Sequence, residues 1–194
     1  MIELKAVNFS YGEKKILSDF SLKVEDGKCA GLSGASGSGK TTVLRLLSGL
    51  EKPQGGEVIC PEKISYVFQE DRLVENLSVL KNIMLVIPEE KKTLALSMIK
   101  QAGLESYKNK KVSDLSGGMK RRVALIRAIC FGGDVLLLDE PFNGLDSDTK
   151  KIMANMIKKE FTAKNKSVLI VSHIAEDFAL MGSEINFSIK SEKP

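Results

Sequence analysis

The sequence predicts an α/β domain built on a mostly parallel sheet, with an N-terminal antiparallel β subdomain and an inserted helical subdomain. Three observations carry that prediction. A strand-like run, Lys28 to Ser33, leads straight into a glycine-rich loop and then an apolar-periodic helix. From Gly117 onward helices and strands alternate, as parallel strands covered on both faces require. Between these regions a long stretch carries apolar residues at helical spacing. The 194 residues make about one domain, expected to span residues 1–194, and 43% hydrophobic with 28% charged residues is an ordinary globular composition.

Taken in order, Ile2 to Tyr11 and Ile16 to Val24 are β-rich runs separated by the turn signal Gly12-Glu13-Lys14-Lys15. Asp26-Gly27 turns the chain into the third strand, and the helix after the glycine loop is expected over Thr41 to Leu50. Pro53 with Gly55-Gly56 breaks the chain before two short strands, around Glu57 to Cys60 and Ile64 to Phe68. From roughly Asp71 to Asp114 the pattern is helical, through Leu77, Leu80, Ile83, Met84 and Ile87, then Leu94, Leu96, Met98 and Ile99, with a stop at Gly103. This block opens the helical subdomain, about 71–131. A helix from Gly117 to about Phe131 closes it. Strand Asp134 to Asp139, helix Ser147 to Asn165, strand Ser167 to Ser172, a short helix to Met181 and a strand near Glu184 to Ile189 complete the series.

Composition excludes several classes. The apolar stretches Ile83 to Ile87 and Val135 to Leu138 fall far short of the ~18 residues of a membrane-spanning helix. The start, Met1-Ile2-Glu3-Leu4-Lys5, has no secretory pattern, so a cytoplasmic chain is expected. Cys29, Cys60 and Cys130 form no C-x-x-C pair and suit small core residues in a reducing compartment. The net charge of +4 sits in two stretches, 100–122 and 150–166. In the second, Lys150, Lys151, Lys158, Lys159, Lys164 and Lys166 read as the solvated face of a helix whose apolar side holds Ile152, Met153, Met156, Ile157 and Phe161. No nucleic-acid partner is expected.

Gly34-Ala35-Ser36-Gly37-Ser38-Gly39-Lys40-Thr41 satisfies G-x-x-x-x-G-K-[ST], and its place between strand and helix marks a P-loop NTPase core. Glycines let successive N–H groups converge on one anion, and the helix that follows adds its positive end. Lys40 is then placed to reach the β- and γ-phosphates and Thr41 to bind Mg²⁺, with Thr42 on the α-phosphate side. A second hard ligand is expected at the end of a buried strand. Val135-Leu136-Leu137-Leu138-Asp139-Glu140 supplies it: Asp139 for the metal, Glu140, pointing elsewhere, as general base toward water.

Leu115-Ser116-Gly117-Gly118-Met119-Lys120-Arg121-Arg122-Val123 resembles the signature of the ATP-binding-cassette (ABC) family, and Gly34 to Thr42 and Asp139-Glu140-Pro141 stand in that family's order. The resemblance implies that Tyr11 stacks on adenine. It also makes Gln69 the Q-loop glutamine that contacts metal and water, Asn143-Gly144-Leu145-Asp146 the D-loop, and His173, the single histidine, the switch residue beside Glu140 and the γ-phosphate. Ser116 is expected to cap a helix whose first turn, Gly117 and Gly118, leaves backbone donors bare for an anion. In the family that helix end closes on nucleotide held by a second cassette. The resemblance therefore implies ATP and Mg²⁺ as ligands, a head-to-tail dimer, and ATP hydrolysis powering separate integral membrane subunits from the cytoplasmic face of the membrane. Gln69-Glu70-Asp71-Arg72-Leu73 is similar to the Q-loop of nitrate-, sulfonate- and taurine-type importers, although Val74-Glu75-Asn76 replaces the Leu-Pro-Trp often found next. An importer is expected, with a short export or lipoprotein-release type cassette, or a non-transport ABC ATPase, as the alternative. Met119 stands where that signature often has glutamine.

Overall fold

The computed structural model of the chain describes residues 1–183 and 185–189. Two sheets form its frame. Strands β1 (Ile2–Tyr11), β2 (Lys14–Val24) and β4 (Gly55–Ile59) make an antiparallel sheet in the order β2-β1-β4. Strands β3 (Cys29–Gly34), β5 (Ile64–Val67), β6 (Val135–Asp139), β7 (Ser167–Val171) and β8 (Ile185–Ile189) make a five-stranded sheet, β5-β6-β7-β3-β8, whose pairings are all parallel. The helices are α1 (Lys40–Leu47), α2 (Val79–Met84), α3 (Lys92–Gln101), α4 (Gly117–Phe131), α5 (Ser147–Glu160) and α6 (Ala175–Met181).

Strand β6 shows why the sheet is covered on both faces. Successive side chains of a strand point to opposite faces. Leu136 and Leu138 enter one core with α2 to α5, and Val135 and Leu137 enter the other with α1 and the antiparallel sheet. Strand β7 divides in the same way, Val168 and Ile170 against Leu169 and Val171. An apolar strand of this kind has no face left for water, so its first polar residue, Asp139, marks its exit. The exits of β3, β6 and β7 lie side by side, with Asp139 paired in register with Val171.

Several element ends differ from expectation, each for a local reason. β2 begins at Lys14, because Gly12 at φ +57° lets Tyr11 pair directly with Lys14. The helix expected to reach Leu50 stops at Leu47. Gly49 is left-handed, and the Leu50 amide folds back onto the Arg45 carbonyl. The helix expected to reach Asn165 stops at Glu160; Thr162 turns its hydroxyl onto the Lys158 carbonyl and Asn165 adopts φ +58°. Residues 71–78 are not helical: α2 starts only at Val79, where the Ser78 hydroxyl accepts the Lys81 amide. Its neighbour Asn82 instead clasps that loop, bonding the Val74 backbone in both directions. Glu184, expected to open the last strand, lies outside the described residues.

The basic helix face also needs correcting. Lys150 is not solvated but forms an ion pair at 3.0 Å with the buried Asp177, and Ile152, placed on the apolar side, is 43% exposed. No disulfide joins any of the three cysteines. Burial pushes the Cys60 thiol up to about 11 and Cys130 to about 12, so neither is a thiolate at neutral pH. Among the described residues no helix is long and apolar enough to cross a membrane.

Candidate functional site

The glycine loop starts where β3 ends. Gly34, Gly37 and Gly39 have φ of +146°, +76° and +104°, values that side-chain-bearing residues rarely adopt. Space enforces the choice too. A Cβ on Gly34 would sit 2.8 Å from Ser38 Oγ, and one on Gly39 2.6 Å from Ile16 Cγ2. The loop delivers the chain into α1, whose first-turn N–H groups have no intrahelical acceptor. Lys40 is buried and donates to the Gly34 and Ala35 carbonyls, both at 2.8 Å, which holds its Nζ over the loop.

Strand β6 brings its acids to this loop. Thr41 Oγ1 donates to Asp139 Oδ2 at 2.8 Å. Burial pushes the Asp139 carboxyl above the ordinary carboxylate value; the Thr41 hydrogen bond opposes this and the Glu140 charge adds to it. Glu140 turns the other way. Its φ of +47° is a left-handed conformation that costs a residue with a Cβ about 1 kcal/mol or more. One carboxylate oxygen lies 3.2 Å from His173 Nδ1 and the other accepts from Asn143 Nδ2 at 2.5 Å. The bend and the two partners fix the direction of the carboxylate.

These groups share one cleft of about 700 Å³. It gathers Gly34, Ala35, Ser36 and Gly37, then Gly39, Lys40, Thr41 and Thr42, and faces them with Gln69, Asp139, Glu140 and His173. Tyr11 lines it from the antiparallel sheet, 45% exposed, with its hydroxyl 3.4 Å from Glu51. Ser38 is the one loop residue that does not line it; it is buried beneath the loop, its hydroxyl without a partner. Thr41, Asp139 and Gln69 offer oxygen donors only, and among the described residues no three His, Cys, Asp or Glu side chains cluster as a metal cage. Few protein oxygens beside a phosphate site is the donor set that Mg²⁺ accepts, so the residues fit that ion.

The remaining predicted residues stand apart from this cleft. Ser116 caps α4, accepting the Met119 amide at 3.4 Å. At Gly117 a Cβ would meet nothing within 4 Å, whereas at Gly118 it would come 3.0 Å from the Gly144 carbonyl. The signature thus packs against the 143–146 loop on one side and is bare on the other. Asp146 caps α5, and the Thr149 amide it accepts holds its carboxyl below the ordinary range.

Two sets of residues escaped sequence reasoning. Arg121 falls in the basic stretch 100–122 but is 4% exposed and bonds the backbone of two segments, at Phe68 just past β5 and at Asp139 at the end of β6. Its signal was present: the rest of α4 is apolar around most of its circumference, which marks a helix buried between two layers, and a cation there must find acceptors. The second set frames His173. Ser172 donates to Asp177 and accepts the Ile174 amide, while Asp177 also pairs with Lys150. The turn carrying the histidine is pinned on both sides.

A parallel sheet with a glycine loop, an acid-tipped apolar strand beside it and a serine-capped glycine helix define a phosphate-loop nucleotide-binding domain. The chain belongs to the ABC transporter family, whose pattern matches residues 17–143. It is 37% identical over 186 residues to the aliphatic sulfonates import ATP-binding protein SsuB 1 of Shouchella clausii, covering 95% of this chain and 75% of that protein. It is 35% identical to the spermidine/putrescine import ATP-binding protein PotA of Mycoplasma capricolum, again over 95% of this chain but only 58% of the relative's length. The backbone superposes with a TM-score of 0.87 on a dimeric, post-hydrolysis structure of the ATP-binding cassette MJ0796 bound to ADP and Pi. That match has 29% identity and covers 100% of this chain and 97% of the other.

Proposed function

We propose that this chain is the ATP-hydrolysing subunit of an importer: it dimerises head-to-tail around ATP and drives separate membrane-spanning subunits from the cytoplasmic face of the membrane. The observation that carries the proposal is the division of the site. The loop, Asp139, Glu140 and His173 share one cleft, while Ser116, Gly117 and Gly118 lie outside it with their helix end uncovered. One chain therefore holds two halves that cannot serve the same nucleotide, and a second copy can complete each. Import rests on the sulfonate and spermidine/putrescine relatives, whose differing cargoes leave the cargo of this chain open.

In this reading the loop amides and Lys40 bind the β- and γ-phosphates, and Tyr11 stacks on the base. Thr41, Asp139 and Gln69 hold Mg²⁺, which neutralises phosphate charge when bound. Glu140 takes a proton from the attacking water in line with the γ-phosphate. His173, 3.2 Å from it, keeps that carboxylate aimed and donates toward the γ-phosphate. The amides at Gly117 and Gly118 of a second copy complete the γ-phosphate shell.

Glu140→Gln tests the base directly. It should keep ATP affinity and lose hydrolysis by about a hundredfold or more. Turnover at the parental rate would assign the base elsewhere.

A further inference from the structure

We infer that Arg121 is a positioning residue for the hydrolytic step, clamping the segment that carries Gln69 and the turn that carries Glu140 to the signature helix. The inference rests on the assignment of Glu140 as base. Arg121 spreads one guanidinium over two segments distant in sequence. Nε donates to the Pro141 carbonyl at 2.9 Å, and Nη2 to those of Asp139 at 2.7 Å and Glu140 at 2.8 Å. Nη1 reaches the Phe68 carbonyl at 2.7 Å, that of Gln69 at 3.4 Å, and the Asp71 carboxylate at 3.0 Å.

That three consecutive carbonyls meet one side chain is itself informative. In a regular strand successive carbonyls alternate in direction. Here the left-handed Glu140 brings those of residues 139 to 141 round to one side, and the charged fork satisfies all three. The strained turn and the arginine therefore support each other: one guanidinium donates to all three carbonyls, of which that of Glu140 also accepts the Asn143 amide at 3.3 Å. Arg127, further along α4, donates to the Asp71 and Arg72 carbonyls. Of these two arginines Arg121 spans both segments, and α4 begins at the signature. A shift at that helix end is thus transmitted by one side chain to Gln69 and Glu140 together.

Arg121→Lys keeps the charge but replaces the fork with a single point, which cannot serve both segments. With the purified chain, kcat with MgATP should fall about tenfold or more while the dissociation constant for nucleotide measured without Mg²⁺ stays within about threefold, since the phosphate loop is untouched. Amide exchange should rise at residues 68–72 and 139–142 and stay unchanged in α1. A folded Arg121→Lys chain with parental kcat overturns the inference. So does one in which affinity falls as far as kcat, because that is general loosening. Asp71→Asn removes one arm of the clamp. It should lower kcat several-fold at unchanged affinity, and it decides the matter if Arg121→Lys does not fold: parental kcat then refutes the clamp. Glu140→Gln, run in parallel, separates the two readings. If it still turns over, the base assignment and the clamp fall together; if it is inactive while both clamp variants are normal, only the clamp is wrong.

Discussion

Asp139 shows at the scale of one residue how function is set against stability. Its carboxylate is buried, 2% exposed, at the exit of an apolar strand, with one hydroxyl partner in Thr41. Burial raises its pKa, so between the ordinary value of 3.8 and the folded value the native state binds more protons than the unfolded one. Stability from this group therefore falls as pH rises through that window. Asp139→Asn removes the buried charge while keeping an acceptor for Thr41. Without nucleotide its melting temperature should rise by ~2–4 °C, for about 1 kcal/mol, and lose the parental decline above pH 4. The same variant should lose Mg²⁺-dependent nucleotide binding. Calorimetry with and without MgATP reads both effects. Residues such as Asp139, Lys40 and Thr41 were legible in the sequence because their chemistry is local: loop geometry or strand exit dictates the residue type. Arg121 was not, because its meaning lies in carbonyls at positions 68 and 139 that only the fold brings together.

At the scale of elements, the turn after β7 rests on a buried ion pair. Asp177 on α6 accepts from Ser172 at 2.8 Å and from Lys150 on α5 at 3.0 Å, with its own side chain 1% exposed. Asp177→Ala would leave Lys150 as a nearly buried, unpaired cation and free the backbone beside His173. The expected cost is about 3–5 kcal/mol, read from urea unfolding. A loss below ~1 kcal/mol would mean that Lys150 escapes to solvent. Sequence patterning placed the strands and the two long helices, since apolar alternation and helical period record which faces are covered. It misplaced helix ends. Whether α1 stops at Leu47 or Leu50 depends on Gly49 and a single amide bond to the Arg45 carbonyl, below the resolution of any periodic pattern. It also read residues 71–78 as helix from apolar spacing, where Asn82 holds the backbone as a loop.

At the scale of the molecule, strand order does the assembling. With β7 between β3 and β6, the phosphate loop, the acid pair and the histidine emerge at one edge of the sheet. Ser116, Gly117 and Gly118 at the start of helix α4 do not line that cleft, and in the proposed function the two halves of the site belong to different copies. The most direct test is sedimentation equilibrium of Glu140→Gln with MgATP, alone and combined with Ser116→Arg. The single variant should become a dimer carrying two nucleotides, and the double variant should remain a monomer that still binds one. A monomeric Glu140→Gln chain at saturating MgATP, or a dimer indifferent to Ser116→Arg, would contradict the division of the site between two chains.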